Sequence, residues 1–268
     1  MLSIEEIKMS MGQKATQAFY MDELVELLVD DIPYFYAKGI LTESFLTSAF
    51  SLRQLADHQF FIQQPSEKLN VTKLEGNYVV MGGQVNQFNE DAHGIFLPGT
   101  TASVKGGACD FLGSAVGELW GESFAHAYHN SQVTARDCSC VMLHNEACGT
   151  LLDDALGYAE DACSVQVSNQ GRLTVWGRAF FLARHRASVE AEGSAFGVVA
   201  DEVELTCTAN NRVIPLSDTV AIKCPSQNRL LPMPDNQMFW EEVLFQAARQ
   251  LSVTEREAEF KRLYPNWD

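Results

Sequence analysis

The sequence predicts a mainly β fold, a parallel β-solenoid built of eight-residue strand–turn repeats, and three observations carry that prediction. Every eighth residue between Gly99 and Ala195 is small. Within each eight-residue unit, which we call an octad, alternate residues are mostly apolar. Asp, Asn or Gly recurs near the end of most octads. Self-similarity at a fixed period is the sequence signature of repeat architectures.

The small residues define the first position of each octad, and the apolar residues follow them at the third and fifth positions. In the octad that begins at Ser131, for example, those positions hold Val133 and Ala135. Alternation with a period of two is typical of a strand with one buried face. We therefore expect positions one, three and five to face inward and positions two and four to face outward. The small residues are Gly99, Gly107, Ala115, Ser123, Ser131, Ser139, Ala147, Ala155, Cys163, Gly171, Ala179, Ala187 and Ala195.

The seventh position of the octad predicts a turn. It holds residues such as Asp137, Asn145, Asp161 and Gly193. Gly, Asn and Asp tolerate a positive φ and bond their own backbone, which suits them to turns. One octad cannot bury its inward face alone, so we expect successive octads to stack as parallel strands around one core.

Two octads per coil would give sixteen residues, and three would give twenty-four. Sixteen is favoured, because an alternate split of the octads collects most of the charged turn residues on one edge. The solenoid is predicted over residues 67–223, in one register without a slip, traced back to Val79 and Val85 and forward to Val213. The residues collected on the charged edge are Glu122, Asp154, Arg186, Glu202 and Asp218.

The two ends of the chain predict short helices, an N-terminal helical segment over residues 1–66 and a helical C-terminal cap over residues 224–268. Apolar residues recur there at helical spacing. The helices either cover the open ends of the solenoid, where unpaired strands invite aggregation, or provide a docking or oligomerisation module. The predicted helices span residues 21–32, 43–58 and 236–251, and a capping box at Thr254 and Glu257 opens a last one.

Composition limits the function classes. The chain has 268 residues, a formal net charge of −16 and a pI near 4.7. Such a surface repels phosphate backbones, so direct nucleic-acid binding is not expected. No apolar run reaches the length of a membrane helix, and the N-terminus does not read as a secretion signal. We interpret the inward Cys109, Cys163 and Cys207 as reduced and the protein as cytoplasmic; the alternative is a phage or surface fibre that folds before export.

Charged residues offer two candidate surfaces. In a sixteen-residue coil, Asp137, Asp153 and Asp201 fall along one edge. This edge either imitates a nucleic-acid backbone, as in an inhibitor of a nucleic-acid-handling enzyme from a phage or mobile element, or simply keeps the protein soluble. A basic patch either binds an acidic partner or pairs with acidic residues of the same chain. It consists of Arg172, Arg178, Arg184 and Arg186.

Outward apolar residues form two stripes in a sixteen-residue coil. Exposed apolar patches of this size mark interfaces, so we expect either a protein partner, including a second copy of this chain, or cover by the terminal helices. One stripe contains Phe180, Leu182, Phe196, Val198 and Ile214, and the opposite stripe contains Phe124, Met142, Leu156 and Tyr158.

Catalytic motifs give little support to an enzyme. The sequence has no Gly-rich phosphate loop, HExxH or nucleophile elbow, so no cofactor is expected. His126, Cys140 and Cys148 are all outward, but the two cysteines fall on opposite sheets of a sixteen-residue coil, and no metal site is predicted. The leading hypothesis is a non-catalytic interaction protein. The alternative is a β-helix transferase-like enzyme with His126 or His144 as the base.

The stretch Ser131-Gln132-Val133-Thr134-Ala135 resembles half of the sixteen-residue repeat of bacterial ice-nucleation proteins. The resemblance covers the inward small–x–apolar–x–apolar rule and implies a parallel β-solenoid. Ice binding in that family is tied to regular outward Thr ladders. The outward residues of this chain are mixed, for example Cys140 and Met142, so the sequence departs from the family in the feature that matters for ice.

Overall fold

The chain winds into a flattened coil whose strands form two parallel sheets. The structure, a computed structural model, describes residues 33, 60–63, 76–89, 92–208, 210–225, 230–231, 254–255, 258 and 262. Each coil contributes one strand to each sheet, and the inner faces of both sheets share one hydrophobic core. The parallel β-solenoid predicted from the sequence is therefore confirmed.

We name the sheets after the numbering of their strands. The even sheet consists, in spatial order, of β1 (Phe60–Gln63), β2 (Gly76–Val80), β4 (Ala92–Phe96), β6 (Ala108–Phe111), β8 (Phe124–Ala127), β10 (Cys140–Leu143), β12 (Leu156–Ala159), β14 (Arg172–Val175), β16 (Ser188–Ala191), β18 (Glu204–Cys207) and β20 (Ala221–Lys223). The odd sheet consists of β3 (Gly83–Asn89), β5 (Thr100–Lys105), β7 (Val116–Trp120), β9 (Gln132–Ala135), β11 (Cys148–Leu151), β13 (Ser164–Val167), β15 (Phe180–Ala183), β17 (Phe196–Val199) and β19 (Arg212–Pro215).

The pairing register confirms sixteen residues per coil. Cys140 of β10 lies beside Leu156 of β12, and Cys148 of β11 lies beside Ser164 of β13. Each strand thus pairs with the strand two octads away, while consecutive octads lie on opposite sheets. Residues eight apart in sequence therefore face opposite directions, and residues sixteen apart stack into ladders.

The predicted single register is wrong at the N-terminal end of the solenoid. His93 pairs with Ala108, fifteen residues further on, and Gly83 pairs with Thr100, seventeen residues further on. A bulge between Val85 and Phe88 interrupts the β3–β5 pairing. The uneven coils arise where Gly-rich turns and a longer β5 replace the regular octads.

This shift changes which residues face the core. Gly99 and Gly107 do not occupy inward positions but lie in turns with φ values of +79° and +80°. Tyr78 and Val80, rather than Val79, join the central core. From Ala115 to Val213 the predicted inward rule holds, and residues such as Ser139 and Ala147 are fully buried. The register slips again at the last strand, where Leu205 pairs with Ile222, seventeen residues further on.

Turns at the seventh octad position have the backbone that the sequence predicts. Asp137, Asn145, Asp153 and Asp201 have φ values between +54° and +60°. A left-handed backbone is costly for most residues but accessible to Asn and Asp. The turns therefore place the chain reversal at the same point in each of these coils.

Large inward side chains are accommodated by inward glycines, Gly157 on the strand that faces Leu151 across the core and Gly197 on the strand that pairs with that of Phe181 in the same sheet. A Cβ atom built on Gly157 would lie 2.4 Å from Cδ1 of Leu151, and one built on Gly197 would lie 2.1 Å from Cζ of Phe181. These glycines are selected for space, because the interior is too thin for two bulky residues to meet.

The ends of the solenoid differ in part from expectation. Within the described residues, the first strand of the ladder is Phe60–Gln63, before the predicted boundary at residue 67, and the last is Ala221–Lys223. The predicted helices at residues 21–32, 43–58 and 236–251 lie outside the described residues. No helix in the described part of the chain has the length and apolar character needed to cross a membrane.

Cys207 forms a disulfide with Cys224, and the expectation that it is reduced is therefore wrong. The Cα atoms of the two residues are 5.0 Å apart. The pairing of β18 with β20 brings Cys224 beside Cys207, a contact that octad counting alone does not reveal. Cys109 and Cys163 are buried free thiols, as their inward positions predict.

Candidate functional site

The outer face of the even sheet, from β8 to β14, presents half-buried aromatic and sulfur-containing side chains. Cys140 lies between Phe124 and Leu156 in the ladder, and Met142 lies between His126 and Tyr158. Cys140, Met142 and their four neighbours are neither fully buried nor fully exposed. We call this surface the aromatic face; it contains the whole of the second stripe predicted from the sequence.

Trp176 extends the aromatic face by one coil. It follows β14 directly, and 36% of its surface is exposed. Its ring stacks on the ring of Tyr158 with a centroid distance of 5.9 Å and an interplanar angle of 13°. Offset stacks of this kind contribute about 0.5–1.5 kcal/mol beyond burial, so the two rings form a fixed platform.

A chain of hydrogen bonds links two histidines of this face to a carboxylate. The Nδ1 atom of His126 lies 2.9 Å from the Nε2 atom of His144, and the Nδ1 atom of His144 bonds Oε1 of Glu160. A carboxylate only accepts, so His144 donates from Nδ1 and, when neutral, accepts at Nε2 from His126. Tyr128 stacks on His144 with a centroid distance of 4.7 Å.

This relay is the closest match to the acid–base alternative. When both histidines are neutral, Nε2 of His126 carries no proton and is free to accept one. A carboxylate orients a catalytic base through hydrogen bonds of this kind. Burial lowers the pKa of His126, and burial raises the pKa of the neighbouring Cys140 thiol, which disfavours a thiolate nucleophile. The enzymatic role of His126 or His144 stays a prediction.

Asp110 and His93 continue the row of polar groups on the next strands of the even sheet. Nε2 of His93 lies 2.7 Å from Oδ2 of Asp110, and Asp110 is buried. Within the described residues, no group of three or more His, Cys, Asp or Glu side chains is arranged to hold a metal ion. Cys140 and Cys148 lie on opposite sheets, as the sixteen-residue coil predicts.

The other predicted stripe, on the odd sheet, is buried. Its residues stack from β15 to β19, and the rings of Phe180 and Phe196 have a centroid distance of 5.4 Å. Leu231 packs against this cluster, and its backbone N–H donates to the carbonyl of Val213. Phe180, Leu182, Phe196, Val198 and Ile214 are each 5% exposed or less.

This burial agrees with the intramolecular alternative and differs from the exposed surface that partner binding requires. An apolar stripe of this size is stabilised when part of the same chain covers it, because burial removes the stripe from water. A partner-binding role for these five residues stays a prediction.

The acidic edge exists, but its carboxylates hold the turns together. Asp137 accepts from the backbone N–H of Gly121 at 3.2 Å, and Asp201 accepts from that of His185 at 3.0 Å. Asp153 accepts from the Asn169 side chain at 3.2 Å. The three aspartates thus lie on one edge and bond between adjacent coils, which gives them a structural role beside any role in binding.

The four predicted patch arginines do not lie on one surface. Arg172 begins β14 on the even sheet, whereas Arg184 follows β15 on the odd sheet. Arg178 and Arg186 lie in successive turns, on opposite edges. The four arginines therefore face different directions, because residues in neighbouring octads are close in sequence but lie on different sheets or edges. A role for them in binding an acidic partner stays a prediction.

Sequence reasoning missed the sixth octad position. On the even sheet this position forms a ladder that includes Tyr128, His144, Glu160, Trp176 and Glu192, all spaced sixteen residues apart. On the odd sheet it includes Trp120 and Arg136. Extending the outward rule from positions two and four to position six would have found both ladders.

No family model, curated protein or solved structure matches this chain. The chain is a parallel β-solenoid.

Proposed function

We propose that this chain is a β-solenoid interaction protein that binds a protein partner through the aromatic face. The observation that carries the proposal is the contrast between the two stripes. The odd-sheet stripe is buried, whereas the aromatic face keeps Tyr158 half-buried and Trp176 36% exposed. Large aromatic residues that remain accessible on a flat surface are typical of interface centres.

Charge favours a basic partner surface. The chain carries a net charge of −16, and Glu190 and Glu192 are exposed on the coil that follows Trp176. Complementary charges steer association and exclude wrong partners. The finer hypothesis of an inhibitor that occupies the basic groove of a nucleic-acid-handling enzyme fits the same sign of charge. The aspartates of the acidic edge support it less directly, because they already bond their own turns.

Site-specific photocrosslinking tests the proposal. Benzoylphenylalanine is introduced at position 158 on the aromatic face or, as the matched control, at position 150. Both are fourth octad positions in adjacent octads, and they lie on opposite sheets. In extracts of the source cells, we expect position 158 to form an adduct with one other protein, competed by unlabelled chain, and position 150 to form none.

The purified adduct protein then provides a quantitative check. Replacing Tyr158 and Trp176 together with Ser should weaken its binding by about tenfold or more, since aromatic interface centres contribute 2 kcal/mol or more. Identical adducts from both positions, no adduct at position 158, or an adduct with a second copy of this chain alone would each overturn the proposal.

A further inference from the structure

Two tryptophans occupy equivalent positions on the two sheets. Trp120 ends β7 of the odd sheet, and Trp176 directly follows β14 of the even sheet. In both cases, the residue sixteen positions later donates its backbone N–H to the carbonyl just before the tryptophan. The N–H of Arg136 bonds the Leu119 carbonyl at 3.1 Å, and the N–H of Glu192 bonds the Val175 carbonyl at 2.8 Å.

At Trp120 the chain supplies its own cation. The guanidinium carbon of Arg136 lies 5.1 Å from the centroid of the Trp120 ring. The Nε atom of Arg136 donates to Oε1 of Glu118 at 3.0 Å. The guanidinium is thus attracted by the ring and fixed in orientation by the carboxylate. Ring, cation and carboxylate are all present on this sheet.

At Trp176 the ring and the carboxylates are present, but a glutamate takes the place of the arginine. Tyr158, from the preceding coil, stacks on one side of the Trp176 ring. The next coil brings Glu190 beside Thr174 and Glu192 beside Trp176 in the ladder, and both glutamates are exposed. Among the described residues, Arg136 places its guanidinium over the Trp120 ring, and no guanidinium lies over the Trp176 ring.

We infer that Trp176, with Glu190 and Glu192, receives an arginine side chain of the partner protein. The inference rests on the proposed function and names the partner chemistry that the aromatic face recognises. A guanidinium is planar, stacks on an indole and presents N–H groups to carboxylates at its rim. The arrangement at Trp120, Arg136 and Glu118 shows that a tryptophan at the sixth octad position of this solenoid can hold a guanidinium over its ring.

The test uses a short peptide, acetyl-Gly-Arg-Gly-amide, as the probe and the full chain as the target. The matched control peptide has citrulline, which is neutral and nearly isosteric, in place of arginine. We expect the indole N–H signal of Trp176, assigned with Trp176→Leu, to shift and saturate with the arginine peptide and to remain unmoved with the citrulline peptide. The Trp120 signal should not respond, because Arg136 already lies over that ring.

Two variants exchange the properties of the two sites. Glu192→Arg places a cation beside Trp176 and removes a carboxylate, so the arginine peptide should bind there at least about fivefold more weakly. Arg136→Gln removes the cation over Trp120, so the Trp120 signal should now respond. Circular dichroism of each variant shows that the solenoid is retained.

An equal response to both peptides, or unchanged peptide affinity in Glu192→Arg, would overturn the arginine site. Neither result would affect the crosslink from position 158, which tests the aromatic face independently. Conversely, a saturating, arginine-specific shift at Trp176 without that crosslink would support the site and overturn the proposed partner interface.

Discussion

The two outer faces of the solenoid differ in how their apolar residues are used. On the odd sheet, a continuous stripe from β15 to β19 is buried within the chain. On the even sheet, the residues of the aromatic face from β8 to β14 remain partly accessible and lie beside a histidine–glutamate relay. The same octad pattern therefore serves internal packing on one side and an accessible surface on the other.

The lesson is that outward apolar residues in a repeat protein do not by themselves mark an interface. Phe196 and Phe124 both occupy the second octad position, yet Phe196 is 5% exposed and Phe124 is only half-buried. Among the described residues, Leu231 packs against the cluster that contains Phe196. Substitutions at equivalent positions of the two sheets test this difference in burial.

The largest expected effect comes from truncating this matched pair of phenylalanines. Phe196→Ala should lower the free energy of unfolding by about 3–5 kcal/mol, since it removes a buried ring and leaves a cavity. Phe124→Ala should cost less than about 2 kcal/mol, because its ring is already partly hydrated. Urea unfolding followed by circular dichroism measures both. Equal losses would mean that the two faces are covered alike.

Substituting the inward glycines should give an intermediate effect that is the same on both sheets. Gly157→Val and Gly197→Val each drive a side chain into a neighbour, Leu151 or Phe181. Overpacking of this kind costs about 1–3 kcal/mol. Thermal unfolding should show similar losses for the two variants. If the two losses differed as much as those of the two phenylalanine variants, the inner faces of the two sheets would also differ in how tightly they are packed.

The smallest expected effect is a pH dependence confined to the aromatic face. Burial lowers the pKa of His126 below its ordinary value of 6.5. The unfolded chain then binds a proton more readily than the folded chain, so His126 contributes stability above pH 6.5 that is lost as the pH falls below it. Asp110 opposes this shift, and His144, His93 and Glu160 also act on it.

His126→Gln should therefore flatten the fall in the free energy of unfolding between pH 7 and pH 5, measured by urea titration. Met142→Leu, at the neighbouring ladder position, is the matched control and should keep the slope of the unsubstituted chain. A steeper slope in His126→Gln would reverse the sign assigned to this histidine.

Much of the fold follows from the sequence because the repeat is regular. From Ala115 onward, small residues such as Ala147 reach the core, and Asp153 and its equivalents form the turns. The early coils could not be predicted, because Gly99 and Gly107 are small for a different reason: they turn the backbone. The Cys207–Cys224 disulfide could not be predicted either, because it depends on β20, a strand beyond the regular octads.

The candidate site was only partly predictable. Ladder spacing placed Phe124, Leu156 and Tyr158 on one sheet, but burial of the opposite stripe depends on packing that an octad pattern does not encode. Closeness in sequence wrongly suggested that Arg172 and Arg178 share one surface, whereas Arg172 lies on a strand and Arg178 in a turn. Trp176 could be interpreted as an arginine site only once the structure showed Arg136 over the ring of its equivalent, Trp120.

Hydroxyl-radical footprinting read by mass spectrometry tests most directly whether one apolar face is internal and the other accessible. The oxidation rates of Phe180 and Phe196 on the odd sheet are compared with those of Tyr158 and Trp176 on the even sheet, each corrected for intrinsic reactivity. We predict strong protection of the two phenylalanines and ready oxidation of Trp176 and Tyr158. Comparable corrected rates, or protection of Trp176 in the isolated chain, would contradict the account.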